Sequence, residues 1–373
     1  MVFFAHQLKP LQCGLSILAS VPEKVKEFFG LFLAFFSYFC YTDEYKRVPI
    51  RRPYISILRS SMKRLFSVIL ILSLFLCGCA QEAEPAQMTT FCMNTVMNLT
   101  VWGEDQDTGI ARIHTKLTEL ESLWSATDED SVLSQLNSGN SLFQLDPSQS
   151  ALLANVEALS QRTGGAFDPH MRVLSETWGF YNEEHRVPTA EEIAAAMEQS
   201  QWDLGGAMKG YAGQVCADLL EDLDIDRAML NLGGNIQTYG EKSDSSPWQI
   251  AVQNPNFADD YIGIVSVTGT ASVVTSGDYQ RYFEVDGVKY HHILDPETGY
   301  PADSGLSSVT IICRDGLTAD CLSTALFVMG LEEAAQFWRE SDDFEAVFIT
   351  EDGAIYATEG ANFSGAQFEV ITR

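Results

Sequence analysis

Short apolar segments in the second half of this chain follow one another across tight glycine turns, with no helix between them. Residues 280–285 and 288–292 flank Asp286-Gly287, a two-residue loop that suits a hairpin because both positions accept positive φ. Residues 228–232 run into Gly233-Gly234-Asn235, and residues 344–349 and 355–357 face each other across Asp352-Gly353. Strands joined in this way pair antiparallel, whereas a doubly wound parallel sheet needs a crossover after each strand. Further strand-like stretches cover 248–252, 262–267, 271–275 and 307–313, and residues 91–102 alternate in part. Helical spacing marks 108–124, through Ile110, Ile113, Leu117, Leu120 and Leu123, then 149–163, a helix starting at Thr189, and 209–223, 317–329 and 331–341. No regular βαβ period emerges, which predicts an α+β domain of mixed, largely antiparallel sheets with flanking helices.

The first part of the chain reads differently. Met62-Lys63-Arg64 is a basic start, residues 65–76 are almost wholly apolar, and Cys77-Gly78-Cys79 closes the run. That apolar run is shorter than the roughly 20 residues a membrane-spanning helix needs, and it ends in small residues. It resembles a bacterial lipoprotein signal. The expectation is a signal peptide over 62–78, cleavage before Cys79, a lipid on that cysteine, a linker over 79–89 and a folded domain over 90–373. Such a protein is held to the cell membrane on its extracytoplasmic face. Residues 1–61 are expected to be an extension upstream of a true start at Met62, or to be disordered.

Residues 80–373 carry 13 Lys plus Arg against 47 Asp plus Glu, a net of −34. A field of that sign repels polyanions, so nucleic acid is not an expected partner and an anionic ligand must be met by local cations or a metal. No cysteine pair has zinc-ligand spacing. Cys313 and Cys321 are candidates for a disulfide outside the cell, with buried free thiols as the alternative.

Three constellations carry chemistry. Asp203-Leu204-Gly205-Gly206-Ala207-Met208-Lys209-Gly210 sets glycines and a lysine ahead of a helix, where backbone N–H groups and an ammonium can approach phosphate oxygens; a purely structural turn is the alternative. Asp320 and Thr324 are one helical turn apart and offer a carboxylate and a hydroxyl, a hard-oxygen pair suited to Mg2+, although Asp320 could instead cap its helix. In Tyr290-His291-His292-Ile293-Leu294-Asp295-Pro296, His292 is the better candidate for accepting a hydroxyl proton, and His291 should face the other way in an extended segment. Asp295 could orient His292 or simply set the turn. Gly165-Ala166-Phe167-Asp168-Pro169 and Thr177-Trp178-Gly179-Phe180 offer either a stacking surface or core packing.

Read in order, Met93-Asn94-Thr95, Gly165-Ala166-Phe167-Asp168-Pro169, Asp203-Leu204-Gly205-Gly206 with Lys209-Gly210-Tyr211-Ala212, Asn231-Leu232-Gly233-Gly234-Asn235, Thr275-Ser276-Gly277-Asp278-Tyr279, His292-Ile293-Leu294-Asp295-Pro296, and Asp320 with Ser323-Thr324 resemble the FAD:protein FMN transferase (ApbE-like) family. The resemblance runs from about residue 90 to the C-terminus. It implies an Mg2+-dependent enzyme that cleaves FAD, moves FMN onto a threonine or serine hydroxyl of an acceptor protein and releases AMP. By position it makes His292 the catalytic base, Asp320, Thr324 and the Gly206 carbonyl the metal ligands, and Met93, Asp168, Asp203, Lys209 and Leu294 the contacts to FAD. It also agrees with a lipid anchor at Cys79. Two departures stand out: Asn94 replaces a common glycine, and Ser125-Ala126-Thr127 lacks the family's tyrosine, for which Trp124 is the nearest substitute. Hydrolysis of FAD at the same site, or FAD storage without turnover, are the alternative functions.

Overall fold

The computed structural model describes residues 84–140, 143–181 and 185–373, apart from the side chain of Ala258. The extension expected over 1–61, the signal expected over 62–78 and Cys79 lie outside the described residues. Among the described residues no helix is long and apolar enough to cross a membrane.

Strands β1 (Ala86–Cys92), β2 (Thr95–Gly103), β3 (Ile225–Leu232), β4 (Asn235–Tyr239), β7 (Ala271–Gly277), β10 (Leu306–Cys313), β11 (Phe344–Thr350), β12 (Ile355–Thr358) and β14 (Glu369–Ile371) form one nine-stranded sheet in the order β1-β2-β3-β4-β7-β10-β11-β12-β14. Every neighbouring pair is antiparallel except β12 with β14. A second sheet, in the order β13-β6-β5, joins β5 (Trp248–Asn254), β6 (Phe257–Val267) and β13 (Phe363–Gly365). The predicted hairpin is β8 (Tyr282–Val285) with β9 (Val288–His291), closed by Asp286 and Gly287 at φ of 53° and 78°. The α+β class holds, with helices α1 (Gln106–Trp124), α2 (Val132–Asn137), α3 (Pro147–Arg162), α4 (Arg172–Thr177), α5 (Ala190–Met197), α6 (Met208–Asp218) and α7 (Gly316–Arg339).

Side-chain alternation along the central strands decides what each face covers. On β7, Val274 joins Leu322, Leu326 and Phe327 of α7, while its neighbour Val273 packs with Ile250 and Val265 of the small sheet. On β11, Phe348 and Val347 divide in the same way. The large sheet is therefore a middle layer, with helices on one face and the three-stranded sheet on the other. Under α1 and α6, Met97, Leu99, Leu230 and Leu232 meet Ile113, Leu117, Ala212 and Cys216.

Several expectations change. The stretch 91–102 is a hairpin rather than one strand: β1 begins at Ala86, inside the expected linker 79–89 and ahead of the domain start at 90, and Met93-Asn94 is its turn. The two helices foreseen over 317–341 are the halves of α7, separated at Gly330, whose φ of 76° and ψ of 171° break the helical path. Cys92, Cys216, Cys313 and Cys321 are all free and buried. Cys313 donates its thiol to the Asp343 carbonyl instead of bonding Cys321.

Candidate active site

Helices α6 and α7 meet at two glycines. A Cβ on Gly210 would lie 2.0 Å from the Gly316 carbonyl oxygen, and one on Gly316 would lie 2.3 Å from the Gly210 oxygen, so only bare backbones allow this approach. The consequence is Asp320. Its carboxylate, 3% exposed, accepts the Gly210 N–H at 2.8 Å through Oδ2 and the Asn235 Nδ2 at 2.9 Å through Oδ1. Helix α6 has no side-chain cap of its own, so Asp320 satisfies an orphan donor in its first turn from a different helix.

One turn along α7, the Thr324 hydroxyl is 3.3 Å from Ser276 Oγ, and Ser276 is 2.8 Å from Ser323 Oγ, whose hydroxyl also lies 2.8 Å from the Asp320 carbonyl. Gly206 abuts the same point: a Cβ there would stand 3.2 Å from Thr324 Oγ1. Asp320 and Thr324 thus stand one turn apart on α7, with the Gly206 backbone packed against the Thr324 hydroxyl. Among the described residues no cluster of three or more acidic, histidine or cysteine side chains could hold a metal. A set with a single carboxylate fits Mg2+, which keeps water and takes the remaining oxygens from a phosphate. It does not fit zinc.

Around this point opens a cleft of about 1620 Å³. Its lining includes all nine of the sequence-derived site residues, Met93, Asp168, Asp203, Gly206, Lys209, His292, Leu294, Asp320 and Thr324. Lys209 lies in the first turn of α6 and donates from Nζ to the Gly205 carbonyl at 3.4 Å. Asp203 accepts from Tyr181 Oη at 2.5 Å and from the Gly205 N–H at 2.9 Å, while Asp168 accepts the His170 N–H at 2.8 Å.

His292 follows β9. Its Nδ1 donates to the Arg281 carbonyl at 3.2 Å, a tautomer that leaves the Nε2 lone pair free. His292 is half-buried in the cleft wall, its ring edge-on to Phe180 at 6.4 Å. That burial, followed by the charges of Arg281, His291 and Lys209, pushes the imidazole down to about 3, so it is neutral near pH 7. His291 does face away, with Nε2 on the Ala302 carbonyl at 3.2 Å and its ring edge-on to Phe327. Asp295 sets the turn instead of orienting His292: it accepts from the Glu297 N–H at 2.8 Å and from Thr298 Oγ1 at 3.0 Å. Of the aromatic candidates, Trp178 is core, whereas Phe167 and Phe180 both line the cleft, Phe167 with only 3% of its surface exposed. Trp124 borders the cleft but is only 6% exposed, which limits it as a stacking surface.

Sequence reasoning missed Glu121, Tyr181 and Arg281 and named Asn235 only within a motif, without a role; all four line the cleft. Glu121 projects from α1 and its carboxylate accepts the Met93 N–H at 2.7 Å and the Cys92 thiol at 3.4 Å. It thereby holds a turn in which Met93 and Asn94 both sit at positive φ, 50° and 56°, without a glycine. Burial, with the Glu121 charge adding to it, pushes the Cys92 thiol up to about 12. Helical spacing placed Glu121 on α1, but nothing local to it foretold the contact.

Comparison with known proteins settles the family. The model of the ApbE family matches residues 93–348. The chain belongs to the ApbE family. It is a transferase. A curated relative from Vibrio cholerae, named FAD:protein FMN transferase, is 33% identical over 312 residues, covering 75% of this chain and 92% of that protein. Another with the same name, from Treponema pallidum, is 31% identical and covers 67% and 79%. Among solved structures, the ApbE protein of Thermotoga maritima superposes with a TM-score of 0.70 at 34% identity, covering 74% of this chain and 97% of that one. The flavinyl transferase ApbE of Pseudomonas stutzeri, in its apo form, gives 0.65 at 28% identity, covering 75% and 96%.

Proposed function

We propose that this ApbE-family protein is an FAD:protein FMN transferase, which cleaves the diphosphate of FAD, attaches FMN to a threonine or serine hydroxyl of an acceptor protein and releases AMP. The observation that carries this reading is the meeting of Lys209, His292 and the Asp320–Thr324 pair in one cleft large enough for a dinucleotide. In the reaction the acceptor oxygen bonds to the phosphorus of the FMN half. The bond from that phosphorus to the bridging oxygen breaks, and AMP leaves with the oxygen. His292 Nε2 takes the hydroxyl proton. A nearby diphosphate would favour the imidazolium so formed, offsetting the environment that keeps the free imidazole neutral.

Lys209 supplies positive charge where the diphosphate must lie, in a domain that is otherwise acidic. Asp320, Thr324 and the Gly206 carbonyl would hold Mg2+, which when bound neutralises charge on the diphosphate oxygens. Asp168, Asp203, Met93 and Leu294 are assigned to binding the nucleotide, and Glu121 and Asn235 to holding Met93 and Asp320 in place. We assign the lipid anchor to Cys79 and the working location to the extracytoplasmic face of the membrane, on the character of residues 62–79; incorporation of a radiolabelled fatty acid that persists in Cys79→Ala would refute that.

The test is direct. The protein, incubated with FAD, Mg2+ and an acceptor bearing a suitable threonine, should yield an acceptor that keeps flavin fluorescence after denaturation. His292→Ala should retain FAD binding and lose transfer. Free FMN and AMP with no labelled acceptor would favour hydrolysis, and unchanged FAD would favour storage.

A further inference from the structure

We propose that Ser276 and Ser323 are positioning residues for the cation: as a directed pair of hydroxyls they draw the Thr324 proton out of the cleft and hold Thr324 Oγ1 as an acceptor. The cation's place at Asp320 and Thr324 rests on the Mg2+-dependent transferase reading. The direction of the hydroxyl chain rests on the oxygen–oxygen distances alone.

The chain runs from the cleft wall into α7. Ser276, on β7, places Oγ 3.3 Å from Thr324 Oγ1 and 2.8 Å from Ser323 Oγ. Ser323 is fully buried and stands 2.8 Å from the Asp320 carbonyl oxygen. Ser276 and Thr324 line the cleft, and Ser323 does not. A hydroxyl has a single proton to donate, and a carbonyl oxygen can only accept. Two oxygens 2.8 Å apart with no proton between them would repel, so the Ser323 proton lies on the Asp320 carbonyl. Ser323 must then accept from Ser276. Ser276, with its own proton committed, accepts from Thr324. Reversing the chain would strip the proton from the Ser323–Asp320 contact and turn the Thr324 proton into the cleft.

The helix closes the other route for that proton. A threonine inside a helix ordinarily donates to the carbonyl four residues back, which for Thr324 is that of Asp320. That carbonyl takes the backbone N–H of the following turn and, here, the Ser323 hydroxyl as well, so both its lone pairs are occupied. Thr324 is therefore left to donate to Ser276. Asp320 is fixed to the same end, because its two carboxylate oxygens accept the Gly210 N–H and the Asn235 amide. Neither Asp320 nor Thr324 keeps a proton for the cleft, and what they offer it is lone pairs. Ser323 thus governs the polarity of a site whose wall it does not reach, as partners behind metal ligands commonly do.

The test titrates Mn2+ alone, which shares the preference of Mg2+ for oxygen ligands, into the full chain and follows the free-ion signal by electron paramagnetic resonance. Ser276→Ala and Ser323→Ala should each weaken Mn2+ binding about tenfold, and Asp320→Ala should weaken it more. Each serine exchange removes one oxygen atom and adds no bulk, so both variants should fold, and urea unfolding of the same samples checks this. A serine needed only for packing would lower the urea midpoint and leave the Mn2+ affinity of the folded protein unchanged. Wild-type affinity in Ser323→Ala would overturn the proposal, because only a directed chain connects that buried hydroxyl to the cleft. Wild-type affinity in Ser276→Ala would overturn it equally. Mn2+ bound as tightly by Asp320→Ala as by the wild type would instead remove the cation from this place, and the proposal with it.

Discussion

Replacing Gly210 by alanine should separate a structural effect from a chemical one. The new Cβ would stand 2.0 Å from the Gly316 carbonyl oxygen and 2.7 Å from Asp320 Cβ, whereas ordinary contact begins at 3.4 Å, so α6 and α7 would have to part by about 1.4 Å. Both obstacles sit on a helix backbone or next to it, and no flexible side chain can yield. Overpacking of this kind costs about 1–3 kcal/mol, and stretching the Gly210 N–H bond to a buried carboxylate costs about 1.5–3 more. Alanine recovers about 1 kcal/mol of helix propensity, leaving a net loss of about 1.5–5 kcal/mol. Gly213→Ala in the same helix meets only side-chain atoms of Gln237 and Leu232, the nearest at 3.1 Å, and should stay within about 1 kcal/mol of the wild type. Urea unfolding of the three proteins measures this. In the fraction still folded, a shift of Asp320 by about 1 Å should lower the rate of FAD cleavage about a hundredfold. A Gly210→Ala protein with the wild-type midpoint and rate would refute the packing argument and Asp320's dependence on it.

Glu121→Ala should free the Met93 turn and raise KM for FAD about tenfold with a smaller change in kcat, and Glu121→Gln should recover much of the loss; an unchanged KM would remove Glu121 as a support. Chelation of divalent ions should abolish turnover and Mg2+ should restore it, while Asp320→Ala should need far more Mg2+ for the same rate, a comparison made by metal titration. His292 titrates near its ordinary 6.5 in the unfolded chain and near 3 in the fold, so the unfolded state takes up the proton first as pH falls. Its contribution to stability is therefore undiminished above pH 6.5 and is lost progressively toward pH 3. Denaturation at pH 7.5 and pH 5 should show a larger drop for the wild type than for His292→Gln, and equal drops would contradict the burial argument.

What could be read from the sequence was what local chemistry fixes. Asp286-Gly287 specified its hairpin because few other residues accept two positive φ angles in succession, and Thr189 marked a helix start that is realised as a capping box with Glu192. The Met93-Asn94 turn makes the same demand without glycine, and it stays hidden until Glu121 from α1 is seen to hold it. Strand β4 was missed because Gln237 and Thr238 look solvent-facing. Both are buried in the middle of the large sheet, Gln237 bonded to Ser272 and Thr238 to the Gly269 carbonyl, and only the tertiary fold supplies those partners. The site residues were legible as short motifs, each ambiguous by itself. Their meeting depends on the Gly210–Gly316 helix contact, which joins positions about a hundred residues apart and leaves no local signature.

The central claim is that one cleft breaks the FAD diphosphate and delivers FMN to an incoming hydroxyl. The most direct measurement counts products in a single reaction: AMP by chromatography and flavin covalently held on the acceptor by intact-protein mass spectrometry. The account predicts one labelled acceptor for each AMP released, with both absent in His292→Ala. AMP released with equal free FMN and no labelled acceptor would contradict it.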